Sequence, residues 1–160
     1  MLETKNDISQ NVRKKVIDLL NARLVDAIDL RAQVKQAHWG VRGPSFIGLH
    51  ELFDQVAARV IDHVDEIAER VTALGAVPDG TVQTVAKQTT LPPYPADITS
   101  GMDHVDALST ALATFGKAVR KAIDESDELG DAGTADLFTS ISRAIDKDLW
   151  FVEAHAQAKS

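Results

Sequence analysis

Apolar residues recur at steps of three and four over four long stretches of the chain, the spacing of one face of an α-helix. The first stretch runs from about Asp7 to His38, with Val16, Leu20, Ala27, Val34 and His38 on a common face. The second begins near Pro44 and Ser45, residues suited to a helix start. Its stripe is Phe46, Leu49, Phe53, Val56, Val60, Val64, Ile67, Val71 and Leu74, and Gly75 stands where a C-terminal cap belongs. A third helix, with Asp97 as its expected cap, carries Val105, Leu108, Leu112, Phe115, Val119 and Ala122. The fourth is expected from about Thr134 to Ala158 through Phe138, Ile141, Ile145, Leu149 and Val152.

The breaks between these stretches set the topology. Gly40–Pro44 and Gly130–Gly133 are short links, so each joins antiparallel neighbours. Residues 76–96 form a long crossover, with a short helix expected around Thr81–Lys87. Two helices, a crossover and two more helices describe an all-α, ferritin-like four-helix bundle with one long connection. The 160 residues suit a single domain, 1–160, with residues 1–6 expected as a short flexible tail. The net charge is −7, which argues against a dedicated nucleic-acid-binding face. There is no cysteine, so disulfides, thiol catalysis and zinc-finger sites are excluded. Neither an apolar membrane span nor a signal-peptide core is visible, and a cytoplasmic location is expected.

Candidate chemistry lies on the second helix. His50 and Asp54 are four residues apart and share a face; Asp65 and Glu69 repeat that spacing eleven residues later. Both pairs are turned away from the core stripe, toward a second face that the spacing assigns to Ala57, Ala58, Ile61 and Ala68. Small apolar residues between carboxylates suit contact with another chain. Eleven helical residues span ~16 Å, whereas a metal ion needs its ligands within ~2–2.5 Å. The two pairs of one straight helix therefore cannot share an ion. They can if the helix packs antiparallel against its own copy about a two-fold axis at the level of Arg59 and Val60. His50 and Asp54 of one chain then face Asp65 and Glu69 of the other, giving two equivalent sites. His38, at the end of the first helix, is placed to complete each site. Two imidazoles and three carboxylates suit iron, with zinc as a competitor on ligand type.

The segments QAHWGVRGPSFIGLHELFDQVAARVIDHVDEIAERVTALG (36–75), LPPYPADI (91–98) and TADLFTSISRAIDKDLWFVEAH (134–155) resemble the Dps family of ferritin-like mini-cages. The resemblance covers nearly the whole chain. It implies a homo-oligomer of twelve subunits around a hollow centre, with ferroxidase sites shared between two-fold-related chains. By position it gives His38, His50 and Asp54 from one subunit, and Asp65 and Glu69 from the other. It implies oxidation of Fe²⁺ to Fe³⁺, preferentially by hydrogen peroxide rather than dioxygen, storage of ferric mineral and protection against oxidative stress. Trp39 matches the tryptophan beside the site, a candidate redox neighbour. Gly40 departs from the family, which often has Asn there. Ordinary ferritins build their site inside each bundle from Glu-x-x-His motifs, and the sequence has none.

Other features are weighed against this reading. The stretch Asp124–Asp136 holds six carboxylates and no Lys or Arg. The family has an acidic three-fold pore in this region, so Asp127, Asp131 and Asp136 are candidates for a cation entrance; a solvated loop is the plainer account. His63, near the core stripe, is expected to be structural, and no role is assigned to His104 or His155. Some family members bind DNA through a Lys-rich tail. Here residues 1–9 carry only Lys5 against Glu3 and Asp7, and Arg13, Lys14 and Lys15 form one small basic cluster on the first helix. DNA binding is therefore expected to be weak or absent. The alternatives are a nucleoid-binding structural protein with little ferroxidase activity, and a zinc-stabilised assembly without turnover.

Overall fold

Helix ends follow their capping chemistry. The computed structural model describes residues 1–157. Its elements are α1 (Gln10–Gly40), α2 (Phe46–Ala73), α3 (Val82–Gln88), α4 (Gly101–Glu128) and α5 (Ala132–Gln157). Ser9 caps α1 by accepting from the Val12 amide, so the helix starts three residues after Asp7. Thr81 caps α3 in the same way. Gly75 (φ 92°) and Gly130 (φ 83°) end α2 and α4 in left-handed conformations that a side chain would strain. At both, the two returning amide bonds of a Schellman motif are made: Gly75 to Thr72 with Ala76 to Val71, and Gly130 to Asp127 with Asp131 to Ser126. The expected end of the last helix at Ala158 lies outside the described residues.

The four long helices form the expected bundle. α1 packs on α2 and α4 on α5, and the two hairpins meet chiefly through α1 and α4. Among the described residues there is no β-strand, only an isolated bridge between Arg42 and Ser100. The core is the predicted stripes, with Phe53, Phe115 and Phe138 fully enclosed, each contributing roughly 1.5–3 kcal/mol by leaving water. The crossover is fastened to α1. Buried Asp26 accepts from the Thr90 amide at 2.8 Å and pairs with Arg23, and Gln33 donates to the Pro92 carbonyl. No helix among the described residues is long and apolar enough to cross a membrane.

Three expectations are corrected. Asp97 does not cap α4; the helix begins after Ser100, because the turn following α1 pairs with residues 99–100 and holds them extended. Ala57 does not belong to the outward face. It is buried in this chain's own core, four residues after Phe53, leaving Ala58 and Ile61 exposed. Arg13 leaves the basic cluster: it is buried and donates to the carbonyls of Ile8 and Leu74. In the segment 1–6 the Leu2 amide donates to the Gly75 carbonyl at 2.7 Å.

Candidate metal centre

The end of α1 and the start of α2 bring two histidines into register. The rings of His38 and His50 stack with centroids 3.7 Å apart and planes at 20°. Each uses Nδ1 on the other's backbone: His38 Nδ1 to the His50 carbonyl and His50 Nδ1 to the His38 carbonyl, both at 2.8 Å. A carbonyl only accepts, so both Nδ1 atoms carry the proton. Both Nε2 atoms are then left with free lone pairs, the state in which imidazole ligates a metal. Phe46, one turn before His50, lies against its ring at 5.0 Å.

Asp54 is one turn further along α2, exposed, with Oδ1 held by Lys35 Nζ at 2.6 Å. The Lys35 ammonium holds the carboxyl below its ordinary value, with smaller help from the two histidines. Lys35 also lies 5.8 Å from the ring centroid of Trp39, which is 62% exposed beside this cluster. The sequence reading missed Lys35. Its only signal was a position one turn before His38 on the same face of α1.

Asp65 and Glu69 are both exposed, farther along α2, and make no ion pair among the described residues. They are not brought to His38, His50 and Asp54. Among the described residues no three His, Asp or Glu side chains of one chain converge on a metal-sized point. One chain thus carries a histidine cluster where α1 meets α2 and a separate pair of carboxylates farther along α2.

The remaining candidates separate. Asp127 and Asp136 are exposed. Asp131 is engaged within the chain. It is 2% exposed, accepts from the Thr134 amide and hydroxyl at the start of α5, and takes Arg70 Nη2 at 2.7 Å. His63 is structural in its surroundings: Nδ1 meets Glu66 at 3.3 Å while Nε2 is buried. Beside it Arg59 turns from the outward face to fully buried Asp148, at 2.7 Å. Burial raises the Asp148 carboxyl, and Arg59 opposes the rise. His155 is exposed and, among the described residues, bonds the Phe151 carbonyl of its own helix. Gly40 gives room to the buried ring of His104: a Cβ there would lie 3.0 Å from Cε1 and 3.1 Å from Nε2. A side chain at this position would have to shift that ring.

A four-helix bundle with one long crossover is a ferritin-like arrangement, and the family model for a ferritin-like domain matches residues 17–159. The chain is 49% identical over 158 residues to the DNA protection during starvation protein of Agrobacterium fabrum, covering 99% of this chain and 98% of that one. It is 33% identical over 151 residues to the protein of the same name from Mycolicibacterium smegmatis, covering 94% and 82%. Among solved structures, Dps of Mycobacterium smegmatis in a tetragonal form superposes with a TM-score of 0.93 at 33% identity, over 98% of this chain and 95% of that one. Dps from Microbacterium arborescens, in what is described as the high iron form, gives 0.88 at 35% identity, over 94% and 97%. The chain belongs to the ferritin-like Dps family, whose members store iron and protect the cell.

Proposed function

We propose that the protein is a ferroxidase and iron store whose catalytic sites are each completed by two chains. The observation that carries this is the reciprocal His38–His50 pair. It fixes two Nε2 lone pairs beside an ionised Asp54, while two further exposed carboxylates stand on the same helix, out of reach within the chain. Antiparallel pairing of α2 brings Asp65 and Glu69 of the partner to the histidines. Ala58 and Ile61, exposed between the two halves, supply the apolar contact.

Fe²⁺ is the substrate. Five ligands leave positions open for oxidant, and anionic oxygen favours the harder Fe³⁺ product. Hydrogen peroxide is the preferred oxidant over dioxygen. Two ferrous ions give one electron each, the O–O bond breaks, two protons are taken up and two waters form, so no hydroxyl radical is released. An arriving ion displaces Lys35 from Asp54, and Trp39 is a redox neighbour. The ferric product collects inside a shell of twelve chains in the cytoplasm, reached past Asp127 and Asp136. Zinc competes for the same ligands. A nucleoid-binding role is disfavoured, because burial of Arg13 reduces the basic cluster to Lys14 and Lys15.

Stopped-flow mixing of iron-free shells with Fe²⁺ and peroxide tests this. The expected result is ferric absorbance rising faster than in protein-free buffer, with iron co-eluting with the shell on gel filtration. Oxidation no faster than in buffer, or iron precipitating outside the protein, overturns it. Tight zinc uptake without iron turnover does the same.

A further inference from the structure

The chain has a single tyrosine. Tyr94 rises from the proline-rich crossover, half-buried, and its hydroxyl meets Nδ1 of His104 at 2.5 Å. His104 is 1% exposed and stands in the first turn of α4. Its ring packs on Gly40, next to Trp39 and two residues from His38. The pair thus reaches from the crossover to the last turn of α1, where the candidate site begins, yet supplies no ligand to that site.

Protonation follows from the surroundings. Nε2 is buried against Gly40 and makes no hydrogen bond among the described residues. A phenol is the better donor and imidazole the better acceptor, so the Tyr94 O–H donates to Nδ1 and the ring proton sits on Nε2. Burial holds the His104 ring below its ordinary value and so neutral at pH 7, with Asp103 and Arg42 acting in opposite senses. Burial also raises the Tyr94 phenol, so it does not ionise beforehand. A phenol so held gives up an electron readily only if its proton leaves at the same time, and a neutral base stands on that proton.

We propose that Tyr94 and His104 form a proton-coupled electron donor that disposes of one-electron oxidants escaping the iron site; this rests on the ferroxidase reading above. The oxidant class is hydroxyl radical, formed when peroxide receives one electron instead of two. The Tyr94 O–H bond breaks. Its electron reduces hydroxyl radical to hydroxide, which takes a solvent proton and becomes water. The phenolic proton passes to His104 Nδ1, leaving an imidazolium beside a neutral phenoxyl radical. A further Fe²⁺ then returns one electron, becoming Fe³⁺, and His104 returns the proton. The net change is hydroxyl radical, Fe²⁺ and a proton going to water and Fe³⁺.

Freeze-quench EPR on the assembled protein tests this in two arms, one with Fe²⁺ and excess peroxide, one iron-free with a flash-generated ruthenium(III) oxidant. Any tyrosyl spectrum belongs to Tyr94. The expected result is a tyrosyl signal in both arms, absent in Tyr94→Phe and formed about 100-fold more slowly in His104→Gln. Tyr94→Phe should still oxidise iron at the wild-type rate while passing more hydroxyl radical to a spin trap. If His104→Gln does not fold, formation in deuterium oxide replaces it: slowing supports the pair, and an unchanged rate overturns it. No tyrosyl signal in the iron-free arm overturns the proposal. So does a signal there with none in the iron arm while Fe³⁺ still forms. If Fe³⁺ does not form, the ferroxidase reading fails, and the iron-free arm still decides the Tyr94–His104 chemistry.

Discussion

The proposed two-chain site makes a quantitative prediction for mixed shells. The His50–Asp54 and Asp65–Glu69 pairs of α2 are ~16 Å apart, and no three of these groups converge within one chain among the described residues. His50→Ala removes an imidazole from one half, and Asp65→Ala removes a carboxylate from the other. Each homogeneous variant therefore has no intact site. When the two are unfolded together and reassembled, about half of the dimers contain one chain of each kind. In such a dimer the His50→Ala chain offers an intact acidic half to the intact histidine half of its partner. Its own damaged half meets the damaged half of Asp65→Ala. One site of the two is whole, so about one quarter of all sites are restored. The assay is the initial rate of peroxide-driven Fe²⁺ oxidation per chain, with mixing verified by native mass measurement. Mixed shells should show about one quarter of wild-type activity against near-zero parents. Confirmed mixing with no recovery would refute the two-chain site, and so would substantial activity in either parent.

Three further outcomes follow from packing and charge. Gly40→Ala puts a methyl 3.0–3.1 Å from the His104 ring and should destabilise by about 1–3 kcal/mol. Adding His104→Ala should relieve most of that loss, and additive losses in urea unfolding would contradict the contact. Asp131→Ala removes the α5 cap and the partner of Arg70, costing about 2 kcal/mol or more, whereas a pore residue would alter iron uptake with stability unchanged. His104 sits below its ordinary value of 6.5, so its neutral form is the one the fold favours. Its contribution is fully present above pH 6.5 and is lost as pH falls through the folded value, by up to about one proton per chain. The stability profile should flatten on that limb in His104→Gln, and an identical profile would show that His104 is not the group.

The bundle was legible because its four stripes repeat at helical spacing, and because Gly75 announces a helix end that only a left-handed residue makes well. The proposed ligand set was drawn from the same signal, since pairs four apart on one helix share a face whatever the tertiary structure. What escaped reading depended on partners distant in sequence. Arg13, Asp131 and Arg59 are charged types that ordinarily face water. Arg13 and Asp131 are buried, and Arg59 is drawn partly inside, by Leu74, Arg70 and Asp148, 61, 61 and 89 residues away. Ala57 was ambiguous because a small residue at the edge of a stripe fits inside or outside, and only the depth of the neighbouring Phe53 decides it. Lys35 and the reciprocal histidine bonds were hidden because α1 and α2 had to meet at a known height before either could be placed.

That height is where fold and chemistry join. The C-terminal turn of α1 and the first turns of α2 hold each other by the same two bonds that fix the tautomers of His38 and His50. A change that slides one helix along the other therefore frees both Nδ1 atoms at once and abolishes the preference for metal-ready Nε2. The acidic half has no such internal scaffold. Asp65 and Glu69 are exposed side chains whose positions relative to the histidines are set, in the proposed site, entirely by how closely two copies of α2 approach. Damage to the α1–α2 register should thus weaken metal binding even in a fully assembled shell. Damage at Ala58 or Ile61 should leave the histidine pair intact and remove only its partner. Ala58→Arg separates the two: the stacked histidines should keep the proton exchange and chemical shifts of protected Nδ1–H groups by NMR while dimer mass and iron oxidation are lost together. Loss of the histidine signals along with the dimer would mean that the pair itself depends on assembly.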